Sequence, residues 1–190
     1  TGLWTVHYLA EADPTLRVTV VESQVAGYGA SGRNGGWCSA LFPASPDSLA
    51  RDHGRDAALA QHRAMRSTVD EVLRATAAEG IDARAAKGGT VGLARNPAQL
   101  ARARAEVDHA RTWGRPETEL ALLDADAARA RLDAAGTVGA TYTPDCAALH
   151  PVRLVRGLAR AVERRGVTIH EGTTALAVEP GRVRTDHGTL

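Results

Sequence analysis

Gly2 and Glu22 have the residue types and the spacing of two positions that bind a dinucleotide. In a βαβ dinucleotide-binding unit, the last fingerprint glycine lets the helix pack closely on its strand. The N-terminus of that helix then faces the pyrophosphate with free N–H groups. An acid about 20 residues later ends the second strand and accepts hydrogen bonds from the adenosine ribose. Gly2 to Glu22 spans 20 positions. Two of the fingerprint glycines would precede Thr1, so an ordinary buried αβ unit stays an open alternative.

A glycine-rich segment at 27–36 (GYGASGRNGG) follows this pair and carries five glycines in ten positions. Glycine adopts backbone angles that other residues avoid, and it has no Cβ to keep a neighbouring group away. The segment is therefore predicted to be a loop whose backbone bends sharply or closely approaches another group.

The elements that position these residues can be predicted from hydrophobic spacing. Residues 2–12 have apolar positions three to four apart and are closed by Asp13-Pro14, which predicts a short helix. Residues 17–22 (RVTVVE) are β-branched and almost continuously apolar, as in a parallel strand buried on both faces.

The remaining pattern alternates helices and strands without an internal repeat, which indicates an α/β chain. A long helix is predicted over 47–79, with Asp47 as N-cap, Gly80 as stop signal and an interruption at Gly54 left open. Further helices are predicted at 98–113, 124–132 and 151–165, and further strands at 89–95, 137–143, 167–169, 174–179 and 182–185.

Composition narrows the function classes. The 23 basic and 22 acidic side chains give a net charge of +1, which argues against a nucleic-acid partner. No apolar run approaches the 18 or so residues that a membrane span requires. The two cysteines form neither a disulfide framework nor a metal motif, so a cytoplasmic protein without a metal site is expected. Because Thr1 is not Met and the fingerprint begins upstream, we expect a segment cut at both ends.

Three runs carry a family resemblance: TGLWTVHYLAE, VTVVES and GYGASGRNGGW. They resemble the FAD-dependent oxidoreductases of the D-amino-acid oxidase and sarcosine oxidase family, in particular the branch that includes gamma-glutamylputrescine oxidoreductase. Residues 147–188 also resemble the family's helix, strand and β-meander. The resemblance is specific at 15–36 and 147–188 and weak between about 45 and 145.

The resemblance implies FAD as cofactor. Glu22 would bind the adenosine ribose, and the loop would line the pyrophosphate and the inner edge of the flavin. Arg33 would supply a forked cation for the phosphates, and Gly35 and Gly36 would let backbone N–H groups approach the flavin. The positions implied to contact FAD are Gly2, Glu22, Ser23, Gly29, Ala30, Ser31, Arg33, Asn34, Gly35, Gly36 and Ala175.

The implied fold is α/β, with an incomplete FAD/NAD(P)-binding Rossmann-like domain and a partly helical segment of a substrate domain. The expected domain limits are 1–45 and 147–190 for the FAD-binding domain and 46–146 for the helical segment. Cys38 could lie near the flavin, but an inert buried thiol is the favoured interpretation. His150 could be a catalytic base, but a helix-start residue is favoured.

The resemblance implies oxidation of a C–N bond in an amine or amino acid, with hydride transfer to the flavin and oxygen or an electron carrier as acceptor. No catalytic acid or base is assigned, since the cofactor carries the chemistry. Two alternatives stay open: another flavin oxidoreductase of the same fold, such as a 2-hydroxy-acid dehydrogenase or an RNA-modifying flavoenzyme, and a redox-silent nucleotide-fold interaction protein.

Overall fold

The computed structural model describes all residues from Thr1 to Leu190, with helices and strands that alternate along the chain. The helices are α1 (Gly2–Ala12), α2 (Ala30–Arg33), α3 (Pro46–His53), α4 (Arg55–Ala78), α5 (Pro97–Thr112), α6 (Ala125–Arg131) and α7 (Pro151–Arg164). The strands are β1 (Thr19–Glu22), β2 (Trp37–Ser39), β3 (Ala86–Lys87), β4 (Thr90–Ala94), β5 (Ala121–Leu123), β6 (Gly139–Thr143), β7 (Cys146–Ala148), β8 (Thr168–Glu171), β9 (Ala175–Glu179), β10 (Arg182–Thr185) and β11 (Gly188–Thr189).

The long helix predicted over 47–79 is divided at Gly54, which has φ +86° and separates α3 from α4. This left-handed backbone is open to glycine at little cost and ends the first helix there. The predicted N-cap, Asp47, is wrong. Ser45 caps α3, because its Oγ accepts the Ser48 N–H at 3.1 Å, and Pro46 takes the first helical position.

Short elements were missed where the pattern had too few residues to show a period. The glycine-rich segment contains one helical turn, α2, and β2 and β7 have only three residues each. β2 pairs antiparallel with β7, and β7 also pairs with β3. Periodicity over two or three positions cannot distinguish a strand from a loop, so only partner strands define these elements.

The chain divides into two compact units, with the division falling inside α4. The first unit comprises Thr1–Gly36, Leu73–Ala85 and Leu149–Leu190, and the second comprises Trp37–Val72 and Ala86–Ala148. The functional domain limits expected from the sequence, 1–45, 46–146 and 147–190, stay a prediction.

The first unit is built around a parallel strand pair on which two helices pack. β1 and β8 pair in register from Thr19 opposite Thr168 to Glu22 opposite Glu171. Val6 and Ala10 of α1 and Val162 of α7 form its buried core, together with Val167 directly before β8. A meander of β9, β10 and β11 completes this unit. The core therefore fixes the N-terminus of α1 relative to the end of β1.

Ion pairs reinforce this arrangement in the first unit. Glu79, at the end of α4, accepts from Arg164 at 3.1 Å and pairs with Arg165 at the end of α7. His7 of α1 is buried, and its Nδ1 lies 3.7 Å from the same carboxylate. These contacts connect three helices through one carboxylate.

The second unit contains two antiparallel sheets, with strand orders β2-β7-β3 and β4-β6-β5. β4 and β6 pair over five residues, from Thr90 opposite Thr143 to Ala94 opposite Gly139. Val107 and Ala110 of α5 pack with Leu120 in a small core. None of the helices of this chain has the combination of length and apolar character that crossing a membrane requires.

Candidate functional site

A cavity of about 420 Å³ in the first unit brings together Gly2 and Glu22, as their spacing predicted. Ser31 and Asn34 of the glycine-rich segment line the same cavity. The other lining residues are Thr1, Leu3, Trp4, Val20, Val21, Ala26, Gly27, Leu154, Val155, Leu158 and Ile169. This cavity therefore has one polar end and a largely apolar wall.

The N-terminus of α1 opens on this cavity without a side-chain cap. Thr1 is the N-cap residue, but its side chain accepts no hydrogen bond from the first turn, and no acidic residue lies in that turn. Among the residues described, neither the Thr1 side chain nor an acid of the first turn engages the first N–H groups, and the positive end of the helix dipole lies at this cavity. Such an end is suited to a phosphate group.

Glu22 is the last residue of β1, and only one of its two carboxylate oxygens has a protein partner. Its Oε1 accepts the Gln24 N–H at 3.0 Å and lies 3.4 Å from the Ser23 hydroxyl, while Oε2 has no protein partner. The carboxylate is therefore held in position by one oxygen and can accept hydrogen bonds through the other. Ser23 is exposed and does not line the cavity.

The turn into the glycine-rich segment is held by a carboxylate of β8. Glu171 accepts the Ala26 N–H at 2.8 Å and also pairs with Arg156 of α7. The Ala26 hydrogen bond and the Arg156 charge hold the pKa of the Glu171 carboxyl below its ordinary value. This carboxylate stays ionised at neutral pH and anchors the start of the segment.

Two glycines in the segment are required by close backbone approach. A Cβ on Gly32 would overlap the carbonyl oxygen of Gly27, and a Cβ on Gly36 would overlap the carbonyl oxygen of Leu149. Gly36 also has φ +74°, a left-handed conformation that favours glycine. Gly32 is a residue that the sequence-based assignment missed, although its place among the other glycines was a signal for it.

Asn34 acts within the segment. Its Nδ2 donates to the carbonyls of Ala30 and Ser31, at 3.2 and 3.0 Å, and its Oδ1 accepts the Gly36 N–H at 2.8 Å. The amide therefore ends α2 and shapes the chain that follows. These bonds engage both ends of the amide within the loop. The predicted contact of Asn34 with the cofactor stays a prediction.

The other predicted positions do not line this cavity. Gly29, Ala30, Gly35 and Gly36 belong to the same loop, and Arg33 lies with its guanidinium 4.2 Å from the Tyr28 ring centroid, a cation–π contact. Ala175 begins β9 opposite Thr185 and is exposed. The cofactor-binding roles of these residues, and of those at the cavity, stay a prediction.

The sequence-based assignment also missed the apolar wall. Trp4 of α1, Leu154 and Val155 of α7 and Ile169 of β8 line the cavity. The apolar spacing along α7 had predicted that Val155 lies on the apolar face of this helix. It could not predict which surface that face would cover. His150 is the N-cap residue of α7, as expected for a helix-start residue, with its Nδ1 3.5 Å from the Arg153 N.

Replacing Arg33 by alanine should lower FAD occupancy or shift the flavin spectrum more than replacing Arg102 does. Arg33 belongs to the loop beside the cavity, whereas Arg102 is exposed on α5 in the second unit. Absorbance of the two purified variants and of the wild-type protein near 450 nm measures both effects. Equal, negligible changes in both variants would show that the Arg33 side chain does not act on the cofactor.

Comparison with known proteins decides the family. The family described as FAD dependent oxidoreductase matches residues 1–190. The chain belongs to this family. The resemblance to the D-amino-acid oxidase group and the α/β FAD-binding fold predicted from the sequence are thereby confirmed, and FAD is the family's cofactor.

Individual relatives agree with this assignment. Gamma-glutamylputrescine oxidoreductase of Escherichia coli is 29% identical over 193 residues, covering 100% of this chain and 44% of that protein. Glycine oxidase from Bacillus cereus has a similar structure, with a TM-score of 0.71 and 22% identity over 100% of this chain and 49% of that one. L-Amino acid deaminase from Proteus myxofaciens has a TM-score of 0.75 at 20% identity, over 99% of this chain and 40% of that one. The chain spans about half the length of these relatives or slightly less.

The cavity of the first unit fits the adenosine diphosphate half of FAD. The family's cofactor has two phosphate charges and a ribose diol, and the cavity offers an uncapped helix N-terminus and a free carboxylate oxygen. Among the residues described, no group of three or more His, Cys, Asp or Glu side chains is arranged to hold a metal ion.

Proposed function

We propose that the protein binds FAD through the cavity of the first unit and oxidises a C–N bond of an amine or amino acid. The observation that supports this most directly is the arrangement of α1 and Glu22. Gly2, at the start of α1, and Glu22, whose Oε2 has no protein partner, line one cavity. The names of the relatives, an oxidoreductase acting on gamma-glutamylputrescine and a glycine oxidase, support the substrate class.

Each residue has a binding or positioning role. The first N–H groups of α1 bind the pyrophosphate, and Glu22 accepts hydrogen bonds from the ribose hydroxyls through Oε2. Glu171 and Asn34 hold the two ends of the glycine-rich segment, so that its backbone is fixed before the cofactor arrives. Apolar side chains of the cavity wall exclude water from the remaining surface.

When bound, FAD supplies the hydride acceptor for the carbon that carries the amine, and water then hydrolyses the imine product. The electron acceptor that restores the oxidised cofactor would be oxygen or an electron carrier. The protein's contribution is orientation and exclusion of water, and no side chain of this chain is assigned as an acid or base.

Anaerobic reduction of the flavin separates this proposal from its alternatives. The full-length protein is mixed without oxygen with a panel of amines and amino acids. We expect at least one of them to abolish the flavin absorbance near 450 nm. The matching 2-hydroxy acids should leave the spectrum unchanged. Reduction by hydroxy acids alone would indicate a 2-hydroxy-acid dehydrogenase. A protein that is purified without flavin and cannot be loaded with FAD would indicate a redox-silent interaction protein.

A further inference from the structure

A second cavity, of about 300 Å³, lies wholly within the second unit, and one of its sides is a segment that is not packed into a core. This segment, residues 41–53, runs from just after β2 to the end of α3, and we call it the flap. None of its residues is buried. The flap nevertheless lines the cavity with a set of apolar side chains, which are Leu41, Phe42, Ala44, Pro46 and Leu49.

The chain is fixed at both ends of the flap. Before it, the Ala40 N–H donates to the Asp145 carbonyl at 3.2 Å. After it, Arg55 donates to the Thr112 carbonyl at 2.7 Å, and the Arg55 guanidinium lies 4.5 Å from the centroid of the Trp113 ring. Arg55 therefore fastens the start of α4 to the end of α5.

Gly54 joins the flap to this fixed point and has the properties of a hinge. Its φ is +86°, and a Cβ added there would meet nothing within 4 Å. Glycine exchanges between left-handed and right-handed backbone conformations at little cost, and hinges commonly lie at the ends of helices. Because none of the eight residues of α3 is buried, rotation of this helix about Gly54 removes little apolar surface from a core.

A single side-chain contact of polar groups connects the flap to another element. Asp47, in the first turn of α3, has its Oδ2 3.1 Å from His109 Nε2 on α5. The contact is an ion pair when the imidazole is protonated. The two side chains are 59% and 50% exposed, so water competes with the contact and it is readily broken.

We propose that the Asp47–His109 contact is a latch that holds the flap closed, and that the flap rotates about Gly54 to admit small molecules to the second cavity. One helix, α5, carries both the latch residue His109 and Thr112, to which the fixed side of the hinge is bound. The latch shifts the balance between closed and open forms and does not block opening, since an exposed ion pair is weak. All these residues lie in the second unit, so the inference does not depend on the proposed FAD site.

Cys146 provides a measure of opening. It lines the second cavity and is only 2% exposed, so a reagent larger than water reaches its thiol when the structure opens. The other cysteine of the chain, Cys38, does not line this cavity and is replaced by serine in every variant. N-Ethylmaleimide is added to the full-length protein, and mass spectrometry of the peptide that contains Cys146 gives the alkylation rate. This rate is proportional to the open fraction when closing is faster than alkylation.

Asp47→Asn and His109→Gln should each raise the alkylation rate of Cys146 about two- to fivefold, as expected for the loss of an exposed ion pair. The double variant should react no faster than either single variant, because both remove the same contact. Asp52→Asn is the matched control, since it removes an exposed carboxylate without an ion pair from the same helix, and it should react as the wild type does. Exchange of the partners, Asp47→His with His109→Asp, should restore slow alkylation.

A thermal melt of each variant separates flap opening from unfolding. The melting temperatures of the latch variants should stay close to that of Asp52→Asn, because the contact is exposed. Alkylation in both latch variants at the rate of Asp52→Asn would overturn the proposal. So would faster alkylation that only follows a loss of global stability. A thiol of Cys146 that reacts in no variant until the protein unfolds would also overturn it, since the cavity would then not open.

Discussion

Replacing Glu22 by alanine is expected to weaken FAD binding by about 2–4 kcal/mol, since two charge-assisted hydrogen bonds of roughly 1.5–3 kcal/mol each are lost and water replaces part of them. Glu22 ends β1 at the cavity of the first unit and keeps Oε2 free, while Oε1 is held by the Gln24 N–H. The carboxylate is therefore positioned before the cofactor binds. The expected loss corresponds to roughly 30- to 1,000-fold in the dissociation constant of FAD.

Equilibrium dialysis of wild-type protein, Glu22→Ala and Glu11→Ala against FAD measures this effect. Glu11 is exposed on α1 and serves as a matched removal of one acid from the same unit. The Glu11 variant should retain the wild-type affinity. Because the Gln24 hydrogen bond is local and exposed, the melting temperature of Glu22→Ala should change little. Retention of flavin by this variant at wild-type affinity would remove Glu22 from the ribose site.

Replacing Gly36 by alanine is expected to destabilise the fold by about 2–5 kcal/mol, the sum of a left-handed backbone cost and the cost of overpacking. The backbone at Gly36 has φ +74°, and an added Cβ would overlap the carbonyl oxygen of Leu149. This is a backbone atom that cannot move aside like a flexible side chain. The Gly36 carbonyl also accepts the Leu149 N–H at 2.9 Å, so a shift would disturb that bond.

Gly35 is the matched control for this substitution. It lies next to Gly36, is exposed, and an added Cβ would meet nothing within 4 Å. In urea denaturation, the free energy of unfolding of Gly35→Ala should therefore lie within about 0.5 kcal/mol of the wild-type value. Gly36→Ala should unfold at a clearly lower urea concentration. If Gly35 is where the backbone approaches the flavin, its variant should still lose FAD affinity. Equal stability of both variants would contradict the close approach of Gly36 to Leu149.

Much of the fold was predictable because it depends on short-range patterns. The spacing of apolar residues predicted α1, and the β-branched run before Glu22 predicted β1, although the strand begins at Thr19 instead of residue 17. Gly54 was identified as a possible break because an interior glycine is a local signal. The choice between Asp47 and Ser45 as N-cap could not be settled locally, since both residue types cap helices and they lie two positions apart.

The candidate site was likewise predictable from the sequence in one part and not in another. The separation of Gly2 and Glu22 was enough to predict that they meet, because a helix of 11 residues followed by a parallel strand returns the chain to its starting level. The role of Asn34 was not predictable, since its amide could serve a ligand or the loop. Only the positions of the Ala30 and Ser31 carbonyls show that its Nδ2 bonds within the loop.

By itself, the sequence determined the family, the cofactor class and the elements that carry Gly2 and Glu22, because these follow from motifs and periods within about 40 residues. Only the tertiary structure decided which polar atoms have partners. Arg66 and Arg115 have the same side-chain chemistry, yet one donates to two carboxylates and the other has a buried Nε with no acceptor. The difference arises because Asp145, which is 79 residues away from Arg66 in the chain, is brought to one arginine and not to the other.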